Sequence, residues 1–252
     1  MTSDAFDYYL RDASRRAAAP EGSHSGAAGG APCRDLIRIS IGLEGGRIAA
    51  ARFDTEGCSA TRAAGAALAE LVEGRTVLDA AGLRPEDVSE ALGGLSPQGR
   101  HAAELAADAL HRALTTLVAS GERSIWSAPV TSRVLVAMSG GVDSAVAAWL
   151  ERARGAEVVA VTVKLWADRR TDGARSCCSP QAVVGARALA HSMGIPHLTM
   201  DLEDDFRATV VDDFLAGHVA GRTPNPCVRC NGLVRLDAMA DLAVRLGAER
   251  LA

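Results

Sequence analysis

Ser139-Gly-Gly-Val-Asp-Ser144 sets two glycines among hydroxyls and a carboxylate, with an apolar run on each side. Glycine removes side chains and opens unusual backbone angles, so the N–H groups of such a turn can face outward. At the start of a helix those N–H groups favour an anion, and Ser139 and Ser144 add hydroxyl donors. The stretch lacks the Gly-Lys-Ser/Thr of a Walker loop and the Gly-x-Gly-x-x-Gly of a dinucleotide fingerprint. Six cysteines are the second signal: Cys33, Cys58, Cys177, Cys178, Cys227 and Cys230. Two pairs are tight, Cys177-Cys178 and Cys227-x-x-Cys230. In a cytosolic chain thiols at such spacing read as metal ligands or reactive groups rather than disulfides. Buried small hydrophobes are the plainer alternative, above all for Cys33 and Cys58.

The elements that must position these groups differ between the two halves. DAFDYYLRDASRRAA reads as a helix and PEGSHSGAAGGAP as a Gly/Ser/Pro-rich loop. Leu36–Ile41, a Gly-Gly turn and Ile48–Phe53 predict a β-hairpin. A small-residue helix follows Gly57-Cys58 and runs to Gly74. TVLDAAGLRPEDVSEAL gives another helical piece, and a long helix carries Leu105, Leu110, Leu114 and Leu117 as its stripe. Gly121–Ser132 reads as a linker. Beyond it, apolar strands at Val134–Met138, Val158–Val163 and His197–Leu202 alternate with helices near Asp143–Ala153, Pro180–Met193 and Asp204–Gly217. GRTPNPCVRCN reads as a loop before a closing helix, Leu233–Leu246. Alternating strands and helices with buried strands predict a parallel sheet wrapped by helices. The glycine turn then falls between strand and helix, where such sheets bind ligands.

Composition sets the outer bounds. The chain has 252 residues, 48% of them hydrophobic and only 4% aromatic, so its cores are built from Ala, Val and Leu. The formal charge is −4, and neither half is basic enough to mark a nucleic-acid binder by charge alone. No stretch reaches the roughly 18 uninterrupted apolar residues of a membrane span. The N-terminus is acidic and has no apolar secretory core. The expectation is a cytoplasmic protein with no membrane partner.

Ser139–Ser144 matches the SGGxDS pyrophosphate loop of the PP-loop ATP pyrophosphatases. VKLW at Val163–Trp166, CCSPQAVVGARALAHSMGIPH from Cys177 and AGRTPNPCVRCN from Ala220 together resemble one branch, the tRNA-uridine 2-sulfurtransferases (MnmA/TrmU). The resemblance implies ATP with Mg²⁺, tRNA as the substrate, and a cysteine desulfurase or other sulfur donor as partner. It places ATP against Ala137, Met138, Ser139, Gly140, Gly141, Val142, Asp143, Ser144 and Val163, with Asp143 near the magnesium and phosphates. It makes Cys230 the nucleophile. Cys227 stands where many members have Asp, so the pair implies an internal disulfide step or two ligands of an iron–sulfur cluster. Cys177-Cys178 is a loop feature or a third ligand. Members of that family continue through a connecting domain and a small β-barrel that carry the persulfide cysteine and much of the tRNA contact. The expectation is that the chain is a fragment or works with a separate protein.

GAPCRD at Gly30–Asp35, EGCSATRAAG at Glu56–Gly65 and RHAAELAADAL at Arg100–Leu110 resemble the iron–sulfur scaffold domains of the NifU/IscU type. That resemblance implies a metal site of Cys33, Asp35, Cys58 and His101, holding Zn²⁺ or a nascent cluster. The family's third cysteine falls on Ala102, and its glycine before the aspartate falls on Arg34.

The expected architecture is an α+β scaffold-like domain over 1–118, a linker over 119–132 and an α/β PP-loop domain (adenine nucleotide alpha hydrolase-like, parallel sheet) over 133–252. The expected function is ATP-dependent 2-thiolation of a tRNA wobble uridine, or its activating half. The alternative is a non-catalytic iron–sulfur or sulfur carrier with an ATP-binding domain. A PP-loop sulfur transferase acting on a small molecule is a third option, against which GRTPNPCVRCN speaks.

Overall fold

The computed structural model describes residues 4–30, 34–97, 99–121, 130–165 and 180–252. Cys33, Cys177, Cys178 and most of the expected linker lie outside the described residues. The chain divides into two compact units, Met1–Ile125 and Trp126–Ala252.

The first unit begins with α1 (Asp4–Arg11) and a three-stranded antiparallel sheet in the order β1-β2-β3. β2 (Leu36–Glu44) and β3 (Arg47–Glu56) form the expected hairpin. Its two-residue turn, Gly45-Gly46, has φ of 57° and 79°, the left-handed pair that matches the strand twist. Ile37, Ile39 and Ile41 alternate inward with Ile48, Ala51 and Phe53.

The loop expected over Pro20–Pro32 is corrected. It contains β1 (His24–Gly29), paired antiparallel with β2 from His24↔Ile41 to Gly29↔Leu36. Its small residues serve close packing rather than a turn. A Cβ on Gly26 would run into the backbone of α5 (Arg100–Ala119) at Ala109 and Ala113. α2 (Ser59–Val72) packs beside α5 against the sheet through an alanine face. The helical piece after it is two helices, α3 (Val77–Ala81) and α4 (Pro85–Ala91), with Pro85 in the first turn of the second.

The second unit is a parallel sheet, β6-β5-β4-β7. Its elements run β4 (Arg133–Ala137), α6 (Val142–Ala153), β5 (Glu157–Lys164), α7 (Pro180–Ser192) and β6 (His197–Asp201). A helical stretch follows: α8 (Glu203–Phe206), a π-helical turn (Arg207–Val211) and α9 (Asp212–Val219). α10 (Pro226–Cys230) then runs through a second π-helical turn into α11 (Leu236–Arg245), and β7 (Arg250–Leu251) closes the sheet. Val134, Val136, Met138, Ala148, Ala160, Ala186 and Ala190 form its core with Ile195.

Two further readings change. GRTPNPCVRCN is a loop only as far as Asn225. Asn225 caps α10, its Oδ1 accepting from the N–H of Cys227 at 3.1 Å and Val228 at 3.3 Å, with Pro226 at the first helical position. The short β7 was not expected. Its pairing beside β4 depends on α11 returning the chain, which no local pattern encodes.

Candidate functional site

β4 is the strand from which the sheet grows both ways. β5 and β6 lie on one side of it and β7 on the other. The crevice beyond the carboxyl end of such a strand is where open α/β sheets take ligands. Ser139–Ser144 occupies that place, between β4 and α6.

Gly140 has φ of 80°, which a residue with a side chain adopts only under strain. Gly141 is the N-cap of α6 and has no side chain with which to cap it. The first N–H groups of a 12-residue helix therefore stand at an exposed turn, beside the positive end of its dipole. The serines brace the turn. Ser144 Oγ donates to Gly141 O (3.1 Å) and accepts from Ser139 N–H (3.3 Å), while Gly141 N–H reaches Ser139 Oγ at 3.4 Å. Asp143 is exposed in the first turn of α6. Ala137 ends β4 and Met138 follows it, and Val163 lies buried near the end of β5. The arrangement can bind an anion and place a carboxylate next to it.

Lys164, the single lysine, ends β5. Its Nζ reaches Asp201 Oδ2 at 2.9 Å and Glu203 Oε2 at 3.0 Å. Burial pulls its pKa down, but the hydrogen bonds to both carboxylates outweigh this and hold it above the ordinary lysine value. It is thus a charged strut between β5, β6 and α8 at the carboxyl end of the sheet.

Cys227 and Cys230 lie on α10 and form no disulfide, one exposed and one half-buried. Three residues apart on a helix, they share one face. Arg229 between them fastens the helix, its Nε donating to Thr209 O at 3.2 Å and pairing with Asp213 at 3.3 Å. The sequence reading missed Arg229 and the Asn225 cap. Asn-Pro ahead of a helical run was the available signal for the cap.

In the first unit Asp35 and Cys58 meet. Asp35 Oδ1 accepts from the Cys58 N–H at 2.9 Å, and Oδ2 lies 3.8 Å from Cys58 Sγ. Cys58 is the N-cap of α2, so Asp35 holds the amide of the residue that opens that helix from 23 residues away in sequence. Thr61 Oγ1 lies 3.1 Å from the same sulfur, a contact the sequence did not signal. The close approach needs Gly57, at φ of 132°, where a Cβ would strike the Asp35 carboxylate. His101 is exposed at the start of α5 and pairs with Glu104 at 3.7 Å. Among the described residues no three His, Cys, Asp or Glu side chains gather closely enough to hold a metal ion. The structure therefore offers a thiol and a carboxylate in contact, with Cys33 outside the described residues. Ala102, in the place of the resembled family's third cysteine, is buried at 3% exposure.

These features define two classes of module: an α+β domain with a carboxylate–thiol pair, and an α/β domain with an open glycine turn at its switch point. Residues 4–121 match the family model described as NifU-like N terminal domain, and residues 132–252 match the tRNA methyl transferase HUP domain. The chain joins a domain of each of these two families. It is 47% identical over 236 residues to the Bifunctional protein NifU/MnmA of Rubrobacter xylanophilus, covering 90% of this chain and 48% of that protein. It is 47% identical over 122 residues to the tRNA-specific 2-thiouridylase MnmA of Magnetococcus marinus, covering 48% of this chain and 34% of that one. The chain thus spans about half the length of the first relative and about a third of the second. Among solved structures, a nitrogen-fixing NifU-like protein (N-terminal) from Brucella abortus aligns over 44% of this chain and 76% of its own. Its TM-score is 0.28 at 18% identity, a level that adds nothing to the family match. No helix among the described residues is long and apolar enough to cross a membrane.

Proposed function

We propose that the unit from residue 133 binds ATP and Mg²⁺ and activates the 2-oxygen of a tRNA wobble uridine, while residues 1–118 of the same chain handle iron or sulfur. The observation that carries this reading is the uncapped N-terminus of α6, opened by Gly140-Gly141 at the switch point of the sheet. The similarity to proteins named as tRNA-specific 2-thiouridylases supplies the reaction class.

The N–H groups of Ser139–Ser144 hold the phosphates, Asp143 faces the magnesium, and Ala137, Met138, Val142 and Val163 line the nucleotide. The uridine oxygen attacks the α-phosphorus and pyrophosphate leaves. The outer sulfur of a persulfide, supplied by a cysteine desulfurase or another donor, then attacks C2, and AMP leaves with the oxygen. The Cys230 thiolate attacks the inner sulfur of the donor, so the donor's S–S bond breaks and its outer sulfur stays on C2. Cys227 then attacks Cys230 Sγ, which frees the donor thiol and closes the Cys227–Cys230 disulfide; alternatively the two thiolates would hold an iron–sulfur cluster. The cytoplasm is the setting that tRNA requires.

For the first unit, Asp35 and Cys58 fit one metal ion, since carboxylate and thiolate are both zinc and iron ligands and already touch. Cys33 and His101 complete the proposed set. That contact also favours a second reading, in which the chain carries iron–sulfur or sulfur and its ATP domain serves binding only.

Pyrophosphate release from ATP separates the two. Release that depends on tRNA and is lost in Cys230→Ala supports thiolation. ATP binding without tRNA-dependent release supports the carrier. Iron and labile sulfide in anaerobically purified protein then locate the metal. Loss in Cys33→Ala places it in the first unit, and loss in Cys230→Ala places it in the second.

A further inference from the structure

Two buried polar side chains meet inside the second sheet. Thr162 on β5 is 2% exposed and His197 on β6 is 0% exposed. Thr162 Oγ1 lies 2.8 Å from His197 Nε2 and 2.8 Å from the carbonyl oxygen of Met138. Met138 is the last residue before Ser139, and its own N–H donates to Val161 O at 2.8 Å.

The direction of these bonds follows from what each group can do. A carbonyl only accepts, so the single hydroxyl proton of Thr162 goes to Met138. His197 must then donate from Nε2 to the Thr162 oxygen. Its Nδ1, buried with no hydrogen-bond partner, is left as a bare lone pair. Burial, with the charges of Arg187 and His191, pushes the His197 pKa down to about 3. The ring is neutral at physiological pH, as a one-way donor requires. A line of donors therefore runs from β6 through β5 to the end of β4.

We infer that Thr162 and His197 are positioning residues for the phosphate turn: they fix the Met138 carbonyl, and with it the direction in which the chain enters Ser139–Ser144. The peptide groups on both sides of Met138 are tied, its N–H to Val161 and its C=O to Thr162. The turn beyond it is exposed and is braced by its two serines. Its outward N–H groups keep their aim because the residue that launches it does not rotate. The inference rests on the reading of this turn as an ATP site.

The test is calorimetric titration of the full chain with ATP and Mg²⁺, beside thermal unfolding. Thr162→Val keeps the shape and removes the hydroxyl. Thr162→Ser keeps the hydroxyl and removes a methyl group. Both lower the Tm, one through an unpaired carbonyl and the other through a void. Only Thr162→Val weakens ATP, by about tenfold, while Thr162→Ser stays within about twofold of the parent. His197→Leu, which takes the donor from Thr162, weakens ATP by about threefold.

Equal affinity in the parent and Thr162→Val overturns the inference and leaves the ATP reading standing. A parent chain that binds no ATP overturns both. Should Thr162→Val fail to fold, His197→Leu decides: affinity equal to that of the parent overturns the inference, and a loss that Thr162→Ser does not share supports it.

Discussion

Cys58 and Cys227 are both exposed cysteines at the start of a helix, and the two units hold them by opposite means. The Cys227 amide is capped by Asn225, two residues before it. The Cys58 amide is capped by Asp35, which reaches it only because β2 and β3 pair from Leu36↔Glu56 onward. Thr61 closes on the Cys58 sulfur from the next turn of α2. One thiol is set by a local motif and the other by a sheet. A change in the first unit's fold therefore moves the chemistry of Cys58. Cys227 tolerates change outside its own helix and the Arg229 contacts.

The largest test of that contrast is Gly57→Ala. It puts a Cβ against the Asp35 carboxylate at a backbone angle that disfavours side chains. The expected loss is about 2–3 kcal/mol, confined to the first unit. Hydrogen exchange resolved by peptide checks it: protection falls in β2, β3 and α2 and holds in β4–β6. Equal loss in both units would refute the separation.

Removing the caps themselves comes next. Asp35→Ala and Asn225→Ala each cost about 1 kcal/mol of helix-end stability. Only Asp35→Ala also removes a contact to a thiol, so it alone is expected to change the rate at which Cys58 reacts with a labelling reagent. Asn225→Ala frays α10 and speeds exchange at the Cys227 and Val228 amides. Thiol labelling with mass mapping reads both variants. A Cys58 rate untouched by Asp35→Ala would mean that the carboxylate serves the backbone alone.

The smallest effect runs the other way. Arg34 sits at φ of 59°, in the place where the resembled scaffold family has glycine. A non-glycine residue there costs roughly 1–2 kcal/mol. Arg34→Gly gives part of that back as native-state strain, less the added freedom of the unfolded chain, for a net gain of about 0.5–1 kcal/mol. Urea unfolding of the first unit measures it. No gain would mean that the Gly30–Asp35 hydrogen bonds carry the bend without strain.

Much of this was legible without coordinates, and the pattern of what was not is physical. The Gly45-Gly46 hairpin, the place of Ser139–Ser144 between strand and helix, and the alternation of the second half all rest on residues close in sequence. So does the Cys227-x-x-Cys230 spacing. The sequence reading erred where a residue's reason lay far away. Gly26 looked like a loop residue because the α5 backbone that presses on it comes more than 80 residues later. GRTPNPCVRCN looked like a loop throughout because turn residues masked the helix that Asn225-Pro226 begins.

By itself the sequence determined the two-module plan, the glycine turn between strand and helix and the cysteine spacing, since turn chemistry, helix caps and periodicity act within a few residues. Tertiary structure alone decided that Asp35 meets Cys58, that β7 joins β4, and that Thr162 and His197 anchor Met138. β7 and the Thr162–His197 pair join strands brought together by crossovers, whose partners are chosen by packing and register rather than by any residue they carry. Asp35 and Cys58 meet through side-chain reach across the open end of the β2–β3 hairpin, which periodicity does not encode.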